Sequence, residues 1–321
     1  MNITYGIIST ASIVPRFMNA VQKGGQGKII AIASRSLDKA QKMAEDYNIP
    51  RAYGTYDELF HDEEINVVYI ATINSKHYQY SLEALHHGKN VICEKPFTMT
   101  REEAESLFDL AKEKNLFIIE AQKSVFLPVI RRVKEIIQSG QLGDIKLIDF
   151  SSSFDISYNT WITSEKEGGG ALYTNGSYFI QIIKYLFESQ VTAKNGLYLD
   201  GTNGGDSQCI ITLKLLEHIH VVSKISTEIQ IPGLAIIYGK YGRIEIPNYW
   251  KARTAKVIYN DGKTEEIHYP CDYELLYEVE HIEKCLEKGL IESPIMNRDM
   301  TVETIGLMED IKKSWQIDKA P

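Results

Sequence analysis

The run Glu94-Lys95-Pro96 sets an ammonium between a carboxylate and an imino acid, directly after the short β-rich stretch Asn90–Cys93. Proline has no backbone N–H and disfavours helical geometry for the residue before it, so Lys95 is expected in extended chain rather than on a helix surface. A lysine presented that way can hydrogen-bond an oxygen and move a proton. Nearer the N-terminus, Ser9-Thr10-Ala11-Ser12-Ile13-Val14 follows another apolar stretch. A strand-to-helix turn there can carry a pyrophosphate on backbone N–H groups, provided its side chains are small. Against G-x-G-x-x-G/A the glycine positions hold Ser9, Ala11 and Val14. The pattern fails as written, but Ser9 and Ala11 are small, and the hydroxyls of Thr10 and Ser12 suit phosphate oxygens. Two readings stand for this turn: a phosphate cradle, or a plain strand–turn–helix with a polar cap.

The tip of the second strand reads Ala33-Ser34-Arg35-Ser36, without the carboxylate that takes the ribose 2′-OH of NAD. Arg35 can stack on an adenine and pair with a 2′-phosphate, with Ser34 and Ser36 adding hydrogen bonds, which favours NADP over NAD. The other reading of Arg35 is a solvated side chain at a helix entrance. The segment Ala71-Thr72-Ile73-Asn74-Ser75-Lys76-His77 ends the fourth strand, at the height expected for a nicotinamide ribose.

Elements that place these residues alternate in type. Strands are predicted over residues 3–8, 28–33, 67–71, 90–93 and 117–119, separated by amphipathic stretches over 13–21, 36–47, 77–87 and 100–114. Thr100 and Glu103 make a capping box for the last of these. This alternation implies βαβ units and a Rossmann-type, doubly wound parallel sheet. Past residue 120 the pattern changes to longer strands joined by short turns, such as Asn260-Asp261-Gly262-Lys263, with two closing helices over 275–288 and 298–314. That reads as an α+β domain with a large, mostly antiparallel sheet. Two domains follow, 1–120 for a dinucleotide and 121–321 for substrate and dimerisation. The second sheet's open face suits a second copy, so a homodimer or higher homo-oligomer is expected.

Composition narrows the function classes. The chain of 321 residues carries a net charge of −8 with both signs interspersed, and no basic face suggests nucleic acid. No apolar run approaches the roughly 18–20 residues of a membrane span, and Met1–Tyr5 lacks signal-peptide character. The four cysteines are scattered, and His218 and His220 share a strand face with no third ligand evident, so a reduced, cytoplasmic chain without a metal is expected.

Together the segments Tyr5-Gly6-Ile7-Ile8, Ala33-Ser34-Arg35, Ala71-Thr72 with Asn74 and His77, Glu94-Lys95-Pro96, Glu120-Ala121, Phe126-Leu127-Pro128, Gly140-Gln141-Leu142-Gly143 and Gly168-Gly169-Gly170-Ala171-Leu172 carry a resemblance. In this order they resemble the glucose–fructose oxidoreductase, inositol dehydrogenase and rhizopine-catabolism family, and within it the dihydrodiol dehydrogenase-like branch. The resemblance implies hydride transfer between a nicotinamide and a carbinol or carbonyl carbon of a sugar, polyol or related small polar molecule. It implies that Lys95 hydrogen-bonds the reacting oxygen and assists proton transfer, and that Glu94 approaches the nicotinamide ribose. Asn74 and His77 resemble supports for the cofactor and its loop; a capping role is the other reading of His77.

One departure is plain. After the glycine run this family usually shows Asp-x-Gly-x-His or Asp-x-Gly-x-Tyr, whereas this chain reads Thr174-Asn175-Gly176-Ser177-Tyr178. Tyr178 can donate a proton from its phenol, but Thr174 cannot supply the charge of the absent carboxylate. A core tyrosine is the other reading of Tyr178. Lys123, Tyr158, Trp161, Thr174 and Tyr178 are candidate substrate contacts, with ordinary packing the alternative for the aromatics. The missing carboxylate also motivates a second reading of the whole chain, a dinucleotide-binding regulator or sensor without turnover.

Overall fold

Short strands, most of them apolar and buried and most followed by a helix, build the first sheet. The computed structural model describes residues 2–154 and 160–317. In chain order β1 (Thr4–Ile8), α1 (Val14–Gly24), β2 (Lys28–Ala33), α2 (Leu37–Tyr47), β3 (Arg51–Tyr53), α3 (Tyr56–Phe60), β4 (Val67–Ile70), α4 (His77–His86), β5 (Asn90–Glu94), α5 (Arg101–Lys114) and β6 (Ile118–Ala121) alternate. The six strands are parallel in the order β3-β2-β1-β4-β5-β6. Strand order reverses between β1 and β4, and in such sheets ligands bind outside the carboxyl ends of the strands at that point. The predicted Thr100–Glu103 capping box opens α5, and Thr55 with Glu58 opens α3 in the same way.

A second sheet follows α6 (Pro128–Gln138). Its strands are β7 (Ile145–Ser153) and, after α7 (Ala171–Phe187), β8 (Val191–Asp200), β9 (Asp206–Leu215), β10 (Ile219–Ser226), β11 (Leu234–Gly239), β12 (Gly242–Pro247), β13 (Thr254–Tyr259) and β14 (Thr264–His268). Their order is β14-β13-β12-β11-β7-β10-β9-β8, with every pairing antiparallel except β7 with β10. This is the doubly wound parallel sheet plus large, mostly antiparallel sheet that the sequence predicts. Strand β8 was not legible in the sequence: it is an edge strand exposed along most of its length, so it lacks the apolar alternation that marks a half-buried strand. The chain closes with α8 (Leu276–Glu287) and α9 (Arg298–Ile317).

Contacts divide the chain into two units, one running through Gln122 and including Asp272–Ile305, the other comprising Lys123–Cys271 and the chain from Gly306. The strand pattern alone puts everything past residue 120 in the second domain. Segment 272–305 groups with the first unit because a carboxylate on α8 serves that unit's backbone. Buried Glu283 accepts from the Tyr5 hydroxyl at 3.0 Å, from Gln26 N at 2.6 Å and from Gly27 N at 2.9 Å. Val302 and Ile305 of α9 also join the apolar core under β4 and β5.

Candidate active site

In the first unit the candidate residues line up just past the carboxyl ends of β1, β2, β4 and β5. Ser9 follows β1 with φ of 91°, a left-handed backbone that favours glycine, and its N–H donates to Ala33 O at 2.9 Å. Serine thus occupies the first glycine position of the fingerprint in glycine's conformation. Its Oγ accepts the Ala11 N–H at 3.1 Å. Thr10, Ala11, Ser12 and Ile13 keep solvent exposure, and α1 starts without a side-chain cap, as a helix end that receives an anion does.

At the end of β2, Ser34 is buried and accepts Ser36 N at 3.3 Å, while Arg35 is exposed. The Arg35 guanidinium lies within electrostatic reach of the Tyr56 and Tyr80 phenols, which pair edge to face with centroids 4.8 Å apart. Ala71 continues β4 by donating to Ile8 O at 3.2 Å, and buried Asn74 opens a short 3-10 turn over Asn74–Lys76.

The loop carrying Lys95 is held from three sides. Glu94 Oε1 accepts the Tyr69 hydroxyl at 2.6 Å and Oε2 accepts Lys95 N at 3.3 Å. Burial first, and then the Glu94 carboxylate, push the Tyr69 phenol well above its ordinary value, so it stays protonated and donating. Its ring stacks on Phe17 of α1 with centroids 3.8 Å apart. Beyond the cis Lys95–Pro96 bond, Phe97 N donates to the buried Glu120 carboxylate at 3.2 Å. Fully buried His77 completes the set: Nδ1 contacts Pro96 O at 2.8 Å and Nε2 faces Thr72 O at 3.2 Å. Burial lowers its pKa, so the ring is neutral at neutral pH and its single N–H goes to the nearer carbonyl. His77 therefore ties the loop after β4 to the loop after β5 and does not cap α4. Tyr69 reads in the sequence only as a strand residue, and Glu120 entered only through the Glu120-Ala121 segment of the resemblance; no spacing marks the partner of a buried polar group.

In the second unit, Lys123 begins a 3-10 turn over Lys123–Phe126 and is 6% exposed, and Tyr178 on α7 is 5% exposed. Lys123 Nζ donates to Tyr178 Oη at 2.7 Å. An ammonium can only donate, so the phenol oxygen is the acceptor and the phenolic hydrogen is donated in another direction. Thr174 lies one turn before Tyr178 and its hydroxyl donates to Gly170 O at 2.7 Å. Asn175 points to the sheet instead, its amide donating to Ser152 Oγ at 2.9 Å.

Helix α7 is aimed by the glycine run. Gly168 and Gly170 hold φ of 81° and 110°, and a Cβ on Gly169 would sit 2.2 Å from Ile162 O. That backbone brings Leu172 N within 2.8 Å of the Asp206 carboxylate, which satisfies the helix N-terminus from inside the unit. Asp206 is a further residue the sequence did not reveal. Half-buried Trp161 lies in the 3-10 turn Thr160–Thr163 beside this glycine run. Tyr158 lies outside the described residues.

Comparison with known proteins agrees with this architecture. Residues 3–122 match the family model of an oxidoreductase family with an NAD-binding Rossmann fold, and residues 130–245 match the GFO/IDH/MocA C-terminal domain. The trans-1,2-dihydrobenzene-1,2-diol dehydrogenase of Xenopus tropicalis is 33% identical over 309 residues, covering 91% of this chain and 92% of that protein. Among solved structures, a 3-ketoreductase of Actinomadura kijaniata in complex with NADP and TDP-benzene superposes with a TM-score of 0.88 at 20% identity, over 98% of both chains. A levoglucosan dehydrogenase in complex with NADH and levoglucosan gives 0.87 at 17% identity, over 99% of this chain and 98% of that one.

Proposed function

This chain belongs to the Gfo/Idh/MocA oxidoreductase family, and from that premise we propose that Lys95 and Tyr178 handle the proton that accompanies hydride transfer. The chain is an NAD(P)-dependent oxidoreductase acting on CH–OH groups, of the dihydrodiol dehydrogenase-like branch. The fit to a dinucleotide rests on the turn after β1, where Ser9 takes a glycine conformation ahead of an uncapped helix. Residues Ser9 to Ile13 would hold the pyrophosphate, Ser34 and Arg35 a 2′-phosphate, and Ala71, Thr72, Asn74, His77 and Glu94 the nicotinamide end. A bound nicotinamide supplies the hydride donor or acceptor.

The observation that carries this reading is the tethering of the Lys95 loop through Glu94, His77 and Glu120. Lys95 is the group assigned to the reacting oxygen, which its ammonium polarises. Tyr178 is assigned as proton donor; the Lys123 ammonium on its oxygen favours the phenolate left behind. Lys123, Thr174, Trp161 and Tyr158 are assigned to substrate, which is a small polar polyol, sugar or dihydrodiol. The exposed Arg35, with no carboxylate beside it at the end of β2, favours NADP over NAD.

Two further assignments complete the proposal. The second sheet exposes Leu197, Leu199 and Ile210, and Leu197 is the cross-strand partner of Ile210, an apolar strip suited to a second copy of this chain. Among the described residues no helix is long and apolar enough to cross a membrane; a cytoplasmic location is our reading of a chain with four unpaired cysteines.

Lys95→Ala tests the assignment on a panel of polyols, aldoses and trans-dihydrodiols, with NADPH affinity followed by fluorescence. The variant is expected to lose about 10²–10⁴ in kcat with cofactor affinity nearly unchanged, the range for removing a proton-transfer group. Full turnover by Lys95→Ala would remove Lys95 from the chemistry. Equal affinity for NADPH and NADH would remove the 2′-phosphate role of Arg35.

A further inference from the structure

Away from the candidate site residues, Asp57, His61 and His87 meet on the surface of the first unit, although the sequence separates the first two from the third. One ligand-capable atom from each lies within 4.8 Å of the other two. Asp57 lies on α3, His61 is the residue that ends it, and His87 is the residue that ends α4. Their backbones are held together independently of these side chains, because Lys89 Nζ donates to Asp62 O at 2.7 Å and to Ile65 O at 2.9 Å.

The two imidazoles are set for a cation in a specific way. His61 Nδ1 contacts Asp57 O at 2.9 Å and His87 Nδ1 contacts Glu83 O at 2.8 Å. A carbonyl can only accept, so each Nδ1 carries the hydrogen, and in the neutral ring Nε2 carries the lone pair. Donation of the second ring N–H to a backbone carbonyl is the arrangement that orients metal-ligating histidines. The two rings also lie against each other and against the first unit's core. His87 stacks on the buried Phe60 ring with centroids 5.6 Å apart, and His61 stands edge-on to His87 at 4.7 Å. Asp57 Oδ1 lies 3.4 Å from His61 Nδ1, so the carboxylate reaches the Nε2 side only by turning about its own side-chain bonds.

We propose that Asp57, His61 and His87 form a surface site for a borderline first-row divalent cation of the Zn2+ class. Two imidazoles and a carboxylate are ligands such ions accept, with water completing the tetrahedron. Exposed side chains at the ends of two helices can close the remaining distance by rotation. The ion would clip the end of α3 to the end of α4, and a ligand that binds only the folded chain raises its melting temperature.

The test is isothermal titration of the untagged full chain with ZnCl2 in a non-coordinating buffer, paired with thermal unfolding with and without zinc. The wild type takes up one equivalent and melts higher with zinc. His61→Gln and His87→Gln each weaken uptake by about tenfold or more and abolish the zinc-dependent rise, yet melt like the wild type without zinc. His281→Gln, which removes an imidazole 3.5 Å from the Cys285 thiol, leaves uptake intact. A wild type that takes up no zinc, or a His61→Gln/His87→Gln double variant that keeps the full equivalent, overturns the site.

Discussion

Ser9 shows how one residue can keep a geometry while departing from a motif. Its φ of 91° is a conformation glycine adopts without cost and a β-branched residue adopts poorly. Ser9→Val is therefore expected to destabilise the chain by about 2 kcal/mol in chemical denaturation, while Ser9→Gly stays within about 0.5 kcal/mol of the wild type. Ser9→Gly also removes the side-chain acceptor from the Ala11 N–H and should tighten NADPH binding; equal costs for the two variants would contradict the strain. His77 carries a second residue-scale prediction. Its pKa is depressed by burial below the ordinary histidine value of 6.5, so above that value neither the folded nor the unfolded chain is protonated there, and full stability is present. As pH falls below it the unfolded chain takes up a proton that the folded chain refuses, and stability drops by at most about 1.4 kcal/mol per pH unit for one proton. His77→Gln should flatten that acid limb in unfolding curves taken from pH 7 downwards; an unchanged slope would assign the acid sensitivity to other groups.

At the scale of elements, the direction of α7 decides where Tyr178 and Thr174 stand. The run Gly168–Gly170 was legible as a marker of resemblance, but its physical reason is local crowding: Gly169 has Ile162 O where a Cβ would go, and Gly170 has Asp206 Oδ1 at 2.2 Å. Gly169→Ala should fail to fold or melt well below the wild type, since the obstructing atom is backbone. Asp206→Ala removes the acceptor for Leu172 N and is expected to cost about 1 kcal/mol, as loss of a helix cap does. If α7 positions Tyr178, kcat falls in Asp206→Ala more than KM rises; a variant with wild-type kcat would separate the cap from the chemistry. Elements of the first unit were legible because each buried strand and amphipathic helix announces itself within a dozen residues. Strand β8 was not, because an exposed edge strand has no apolar face to announce.

On the scale of the whole molecule, the apolar strip of the second sheet bears on assembly. Leu197 is 71% exposed and pairs across strands with Ile210, which is 49% exposed. Contiguous exposed apolar patches mark interaction sites, and the occupant proposed for this strip is a second copy of the chain. Light scattering of the wild type is expected to give the mass of a dimer, and Leu197→Glu with Ile210→Glu that of a monomer with unaltered helix content. A wild type that is monomeric at all concentrations would leave the strip without an occupant of its own kind.

The sequence by itself determined the two kinds of sheet, the order of elements before residue 120 and the position of Lys95 past the end of β5. Each of these follows from hydrophobic period and backbone preference, which act over a few neighbouring residues. It also pointed to Lys123 and Tyr178, but only the tertiary structure joined them, across 55 residues, at 2.7 Å. Only the tertiary structure chose Tyr69 as the partner of Glu94, Asp206 as the cap of α7 and Glu283 as the acceptor that groups α8 with the first unit. A polar group needs a partner once burial removes its water. Which partner it finds depends on chain segments remote in sequence, and no spacing along the chain encodes that choice.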